Sequence, residues 1–150
     1  MEMEKKIKVL QTMYAGVLAD SVLRMGQAGI LEKVTEDKKV EQMLSGKMRA
    51  AQLGITRPQA VFEVLSEIFG CANWKITDLA TGFKADATGC MLCSLAKRMG
   101  AQSPCQIYCL DPMEAMVKGF DKHASFTTHE TLWKGKACNI EVDLPGGLDL

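Results

Sequence analysis

Apolar residues recur at helical spacing through the first third of the chain. Ile7, Leu10, Tyr14, Val17, Leu18 and Met25 share one face of a helix predicted over residues 3 to 26, which Gly26 and Gly29 punctuate. The charged run Glu36 to Lys39 opens a second predicted helix that ends at Gly54. Thr56-Arg57-Pro58-Gln59 reads as a helix start, with Thr56 able to cap and Gln59 able to reach back. The helix from Pro58 to Phe69 places Val61, Phe62, Leu65 and Phe69 on one side, and Gly70 stops it.

After Gly70 the period changes to that of strands. Residues 72–77 and 82–85 form a predicted hairpin turning through Asp78 to Thr81. Helix spacing returns from Cys90 to Met99, closed by Gly100. Ser103-Pro104-Cys105-Gln106 and Asp111-Pro112-Met113-Glu114 both read as capping boxes, so a helix kinked or restarted at Pro112 is expected. Two further strands, 125–133 and 137–144, are predicted around a tight turn at Lys134-Gly135-Lys136. Cys138, Ile140, Val142 and Leu144 share one face of the last strand. The tail 145–150 is expected to fray. The order predicts an α+β fold in one domain of 1–150: N-terminal helices, then two β-hairpins forming an antiparallel sheet, with a central helical pair carrying cysteines.

With 150 residues, 24% of them charged, and a formal net charge of zero, the chain resembles an ordinary globular domain. The neutral balance argues against nucleic-acid binding. The start Met-Glu-Met-Glu-Lys-Lys lacks the order of a signal peptide. Gln11, Asp20, Arg24 and Gln27 interrupt the most apolar stretch, so no membrane span is expected. A cytoplasmic location follows as an expectation. In that compartment the six cysteines read as thiols, metal ligands or catalytic groups rather than disulfides. The long first helix suits the core or a homodimer seam.

Four cysteines crowd between Gly89 and Leu110: Cys90, Cys93, Cys105 and Cys109. Cys90 and Cys93 are neighbours on one helix face, as are Cys105 and Cys109. If Ser103 caps, Cys105 lies in the first turn of a helix, where free amides and the dipole favour a thiolate. That prepares a nucleophile; a small buried residue at a helix start is the alternative. No cofactor is required, but Cys90, Cys93, Cys105 and Cys109 also make a set of thiolates for zinc or an iron–sulfur cluster, although the spacing is not that of a ribbon or ferredoxin. Cys71 reads as a core or loop thiol. Asp111 is a candidate general base, set against a structural cap. His129, on the strand face opposite Phe126, is a candidate proton shuttle, set against an ordinary surface histidine. Arg98 could hold a substrate carboxylate or face solvent. Trp74 and Trp133 read as core or pocket wall.

Cys90 followed by Ala96 and Gly100, Cys105-Gln-Ile-Tyr-Cys109 followed by Asp111, and Thr131-Leu132-x-x-Gly135-x-x-Cys138 together resemble the L-2-amino-thiazoline-4-carboxylate hydrolase family of small bacterial proteins. The resemblance covers about residues 85 to 144; Cys93 is extra to its pattern, and Thr128-His129-Glu130 stands where the family often has a basic residue. The helix and hairpin order is also similar to the 4-vinyl-reductase-type small-molecule-binding domain. The first resemblance implies opening of a thiazoline ring to N-carbamoyl-cysteine. It implies attack by a Cys105 thiolate or activation of water by a cysteine or metal, with His129 or Asp111 managing protons and Cys90, Cys109 and Cys138 lining the site. The second implies a small-ligand or redox sensor.

Overall fold

The computed structural model describes residues 1–146. Helix α1 spans Met3–Gln27, α2 Leu31–Gln52 and α3 Ala60–Phe69. Strands β1 (Lys75–Asp78) and β2 (Gly82–Ala87) follow, then α4 (Met91–Met99). A π-helical turn at Gln106–Leu110 runs directly into α5 (Asp111–Phe120), and β3 (Ser125–Glu130) and β4 (Cys138–Asp143) close the order. The sheet is antiparallel in the order β1-β2-β4-β3, so the two hairpins join edge to edge through β2 and β4. This is the α+β arrangement read from the sequence.

Alternation decides which face of the sheet is buried. Phe83, Ala85, Ile140, Val142 and Leu144 turn inward and meet Val61 and Phe62 of α3 and Met113, Met116 and Val117 of α5. Phe62 is the hub, with Trp74, Phe83 and Phe126 at ring-centroid separations of 5.2, 5.7 and 6.2 Å. A second cluster holds α4 against α1 through Ala19, Leu92 and Ala96.

Helix α2 has few large inward residues and reaches α5 by closeness instead. A Cβ on Gly46 would clash with the carbonyl oxygen of Ala115. That contact is with backbone, so it yields only if the two helices part. Gly46→Leu is therefore expected to lower unfolding free energy by about 1–3 kcal/mol, read as a fall in the denaturant midpoint.

Several local expectations are corrected. Helix α2 begins at Leu31, before the charged run, behind Ile30, which makes no side-chain cap bond. The Thr56 box does not form: α3 has no side-chain cap, and Gln59 donates to Asp78 across 3.3 Å. Residue 72 makes only an isolated bridge to Cys90, leaving β1 to start at Lys75. Strand β3 ends at Glu130, so residues 131–137 form a longer connection than a tight turn. Asp111 is no cap: its φ of −63° and ψ of −46° continue the helix through Pro112 without a restart. Of the tail expected to fray, the Gly146 amide is tied to Asp121 at 3.0 Å; residues 147–150 lie outside the described residues.

Candidate active site

Two helix beginnings converge on three thiols. Cys90 stands at the N-cap of α4 with extended backbone (φ −148°, ψ 113°), and its sulfur accepts the Cys93 amide at 3.5 Å. It is the cap of the predicted helix rather than its first turn. Thirteen residues after Cys90, Ser103 Oγ accepts the Cys105 amide at 3.2 Å, and Cys105 caps the π-helical turn. Its sulfur lies 3.5 Å from that of Cys93. Cys93, extra to the sequence pattern, is the bridge of the group.

This geometry favours one negative charge. The Cys93 thiol has one proton to donate, and a neighbouring thiolate is its natural acceptor. That hydrogen bond is the largest influence on Cys105, whose pKa is drawn down to about 7 against the cost of burial, with the Ser103 hydroxyl and the Lys97 cation assisting. Cys90 is drawn down to about 6 by the same donor and by backbone amides of α4. The one Cys93 proton is thus the shared and largest cause of both downward shifts. Cys93, between two acceptors, is pushed up and stays protonated.

The other thiols behave differently. Burial is the main influence pushing Cys109, Cys138 and Cys71 up, Cys71 to about 11. Cys138 accepts the Leu132 amide at 3.3 Å, and Cys109 faces an interior cavity. Among the described residues no three His, Cys, Asp or Glu side chains are arranged to hold a metal ion.

Cys105 is nearly buried, yet it lines an open groove of about 720 Å³. His129, Glu130, Trp133 and Lys134 form the opposite rim. His129 Nε2 is 3.0 Å from Glu141 Oε2. Lys97 steadies the rim from α4, donating to the Leu132 carbonyl at 2.8 Å and lying over the Trp133 ring. Asp111 lies elsewhere: fully buried, it accepts from Gln106 Nε2 and sits 3.6 Å from Lys39 Nζ. Cys90 opens toward a different depression beside Asn73 and Ser94. Arg98 is exposed and is not a lining residue of the groove. The structure therefore brings Cys105 and His129 to one groove, and Cys90 to Cys105 through Cys93. In the sequence Glu130 and Lys134 figure only as part of a local pattern and a turn, and Lys97 not at all, because solvated charges carry no signal of their own.

Residues 2–141 match the family described as L-2-amino-thiazoline-4-carboxylic acid hydrolase. The chain belongs to this family. The match reaches through the N-terminal helices, beyond the cysteine-bearing half that carried the resemblance. No curated protein and no solved structure matches the chain, and the likeness to the 4-vinyl-reductase-type domain gained no support.

The 3.5 Å approach of Cys93 and Cys105 has a chemical consequence. Peroxide oxidises the Cys105 thiolate to a sulfenic acid, and the Cys93 sulfur then displaces water to form a disulfide. Peptide mapping after mild peroxide treatment is expected to find Cys93 linked to Cys105, and neither linked to Cys109 or Cys138.

Proposed function

We propose that this protein hydrolyses a 2-amino-thiazoline-4-carboxylate-like ring, with Cys105 as the nucleophile. The observation that carries this is a thiolate-favouring cysteine lining an open groove that His129 also lines, in a chain of the thiazoline hydrolase family. The Cys105 sulfur attacks the ring carbon between nitrogen and sulfur. The ring C–S bond breaks, and its electron pair leaves on the substrate sulfur as a thiolate. The enzyme then holds an isothiourea through its own C–S bond. Water adds to the same carbon, the Cys105–carbon bond breaks, and N-carbamoyl-cysteine departs with net addition of one water.

The groove supplies what these steps need. His129, oriented by Glu141, takes a proton from the attacking water. The Lys134 ammonium suits the substrate carboxylate. The Cys93 thiol keeps its proton and donates it in a hydrogen bond to the Cys105 sulfur, which favours the thiolate when the carbamoyl product leaves. The test is turnover of 2-amino-thiazoline-4-carboxylate by wild type and by Cys105→Ser, followed through release of product thiol; undiminished turnover by the variant overturns the covalent route.

A further inference from the structure

A second cavity, away from the groove, lies between α1, α2, α3 and the π-helical turn. It is partly enclosed and holds about 310 Å³, roughly twice a cavity that accommodates benzene. Its walls are apolar and aromatic, with Leu65, Phe69, Trp74, Tyr108, Met113 and Met116 among them. Tyr14 stacks on Phe69 at 5.1 Å, and both line it.

Three polar residues of α2 also line this cavity: Lys38, Gln42 and Arg49. They are four and seven residues apart, so they rise along one helix face. Neither Lys38 nor Arg49 makes an ion pair among the described residues. Gln42 is 92% buried, and its carbonyl oxygen Oε1 has no hydrogen-bond partner while its amide donates to the Ile107 carbonyl at 3.4 Å. A buried acceptor without a donor is costly, and folding alone gives no reason to keep it. The π-helical turn is the other anomaly: Ile107, Tyr108 and Cys109 reach the cavity from it, and such turns are frequent at functional sites.

We infer that this cavity binds an N-acyl amino acid type of ligand: an apolar tail, an N–H donor and a carboxylate in that order. The tail fills the space between Leu65, Trp74, Met113 and Met116. The ligand N–H donates to Gln42 Oε1. The carboxylate meets Arg49, while Lys38, about 16 Å away along α2, adds positive charge from a distance. A plain hydrocarbon would leave Gln42 and both cations unused, and a polar metabolite would waste the aromatic wall. This site is separate from the groove, so the inference does not depend on the hydrolytic reading.

The test is calorimetric titration of the full chain with N-octanoylglycine, octanoate and octanol. Saturable one-to-one binding is expected, tightest for N-octanoylglycine. Arg49 is exposed, so Arg49→Gln should fold normally; it is expected to weaken both anions by about tenfold and leave octanol unchanged. Gln42→Leu is expected to weaken N-octanoylglycine selectively while raising the melting temperature, because the orphaned acceptor is gone. Cys105→Ser should bind all three like wild type. Absence of saturable binding, equal affinity for octanol and N-octanoylglycine, unchanged affinities in the two α2 variants, or loss of binding in Cys105→Ser would each overturn the inference.

Discussion

Cys105→Ser is expected to reduce thiazoline turnover by about a thousandfold or more, with little change in folding. A serine hydroxyl matches the thiol in shape and keeps the Ser103 contact at the backbone amide. It cannot ionise near neutral pH, however, so the Cys93 proton no longer stabilises a nucleophile. The companion Cys93→Ala separates roles. It retains the nucleophile but removes the donor 3.5 Å away, so the pKa of Cys105 should rise from about 7 toward the ordinary 9.0. The sign follows directly. The thiolate form is populated above its pKa, so wild-type kcat/KM rises as pH climbs through about 7, whereas Cys93→Ala reaches its plateau only at higher pH. Kinetics from pH 5.5 to 10 check both statements. If the two enzymes share one profile, the Cys93 proton does not tune the nucleophile.

Phe62→Ala carries the largest expected cost in stability. Phe62 is fully buried, and its ring meets Trp74 and Phe83 edge-on and Phe126 in a stack. Truncation removes the apolar burial and leaves a cavity where α3 seats on the sheet, together worth about 3–5 kcal/mol. The aromatic pairs place the cost toward the upper end. In a chain of this size the melting temperature should fall by about 10 °C or more. Leu44→Ala is the control, since Leu44 is 86% exposed and should shift stability by no more than about 0.5 kcal/mol. Thermal unfolding of the two variants side by side is the measurement. A Phe62→Ala loss no larger than that of Leu44→Ala contradicts its place at the centre of the core.

The features legible in the sequence were those set by short-range chemistry. Helix α3 followed from apolar spacing, Gly70 and Gly100 from their place after the last helical residue, and β4 from the alternation of Cys138, Ile140 and Val142. Helix α1 followed in extent but not in facing, since Ile7, Leu10, Tyr14 and Val17 of the expected apolar face are exposed and Ala15, Ala19 and Val22 are buried instead. The bond from the Cys105 amide to Ser103 Oγ was readable because donor and acceptor are two residues apart, but the expected capping box did not form: Cys105 is the N-cap and Gln106 reaches Asp111 instead. Where partners lie far along the chain, the local reading failed. Asp111 resembled a capping residue until the π-helical turn carried the helix through it and Lys39, from α2, approached its carboxylate. Helix α2 hid its start because Ile30, which precedes it, makes no side-chain cap bond. Cys93 passed for an extra thiol because its meeting with Cys105 depends on how the loop over residues 100–104 folds back. The groove rim came from the connection after β3, which the alternation pattern had assigned to strand.

The most direct test of the central claim is the pH dependence of Cys105 alkylation, measured by peptide mapping of iodoacetamide-treated wild type with and without 2-amino-thiazoline-4-carboxylate. The account predicts that Cys105 reacts faster than Cys71, Cys109 and Cys138, with a midpoint near 7, and that the thiazoline slows its labelling. A Cys105 midpoint near the ordinary 9.0, or labelling that the thiazoline does not slow, would contradict it.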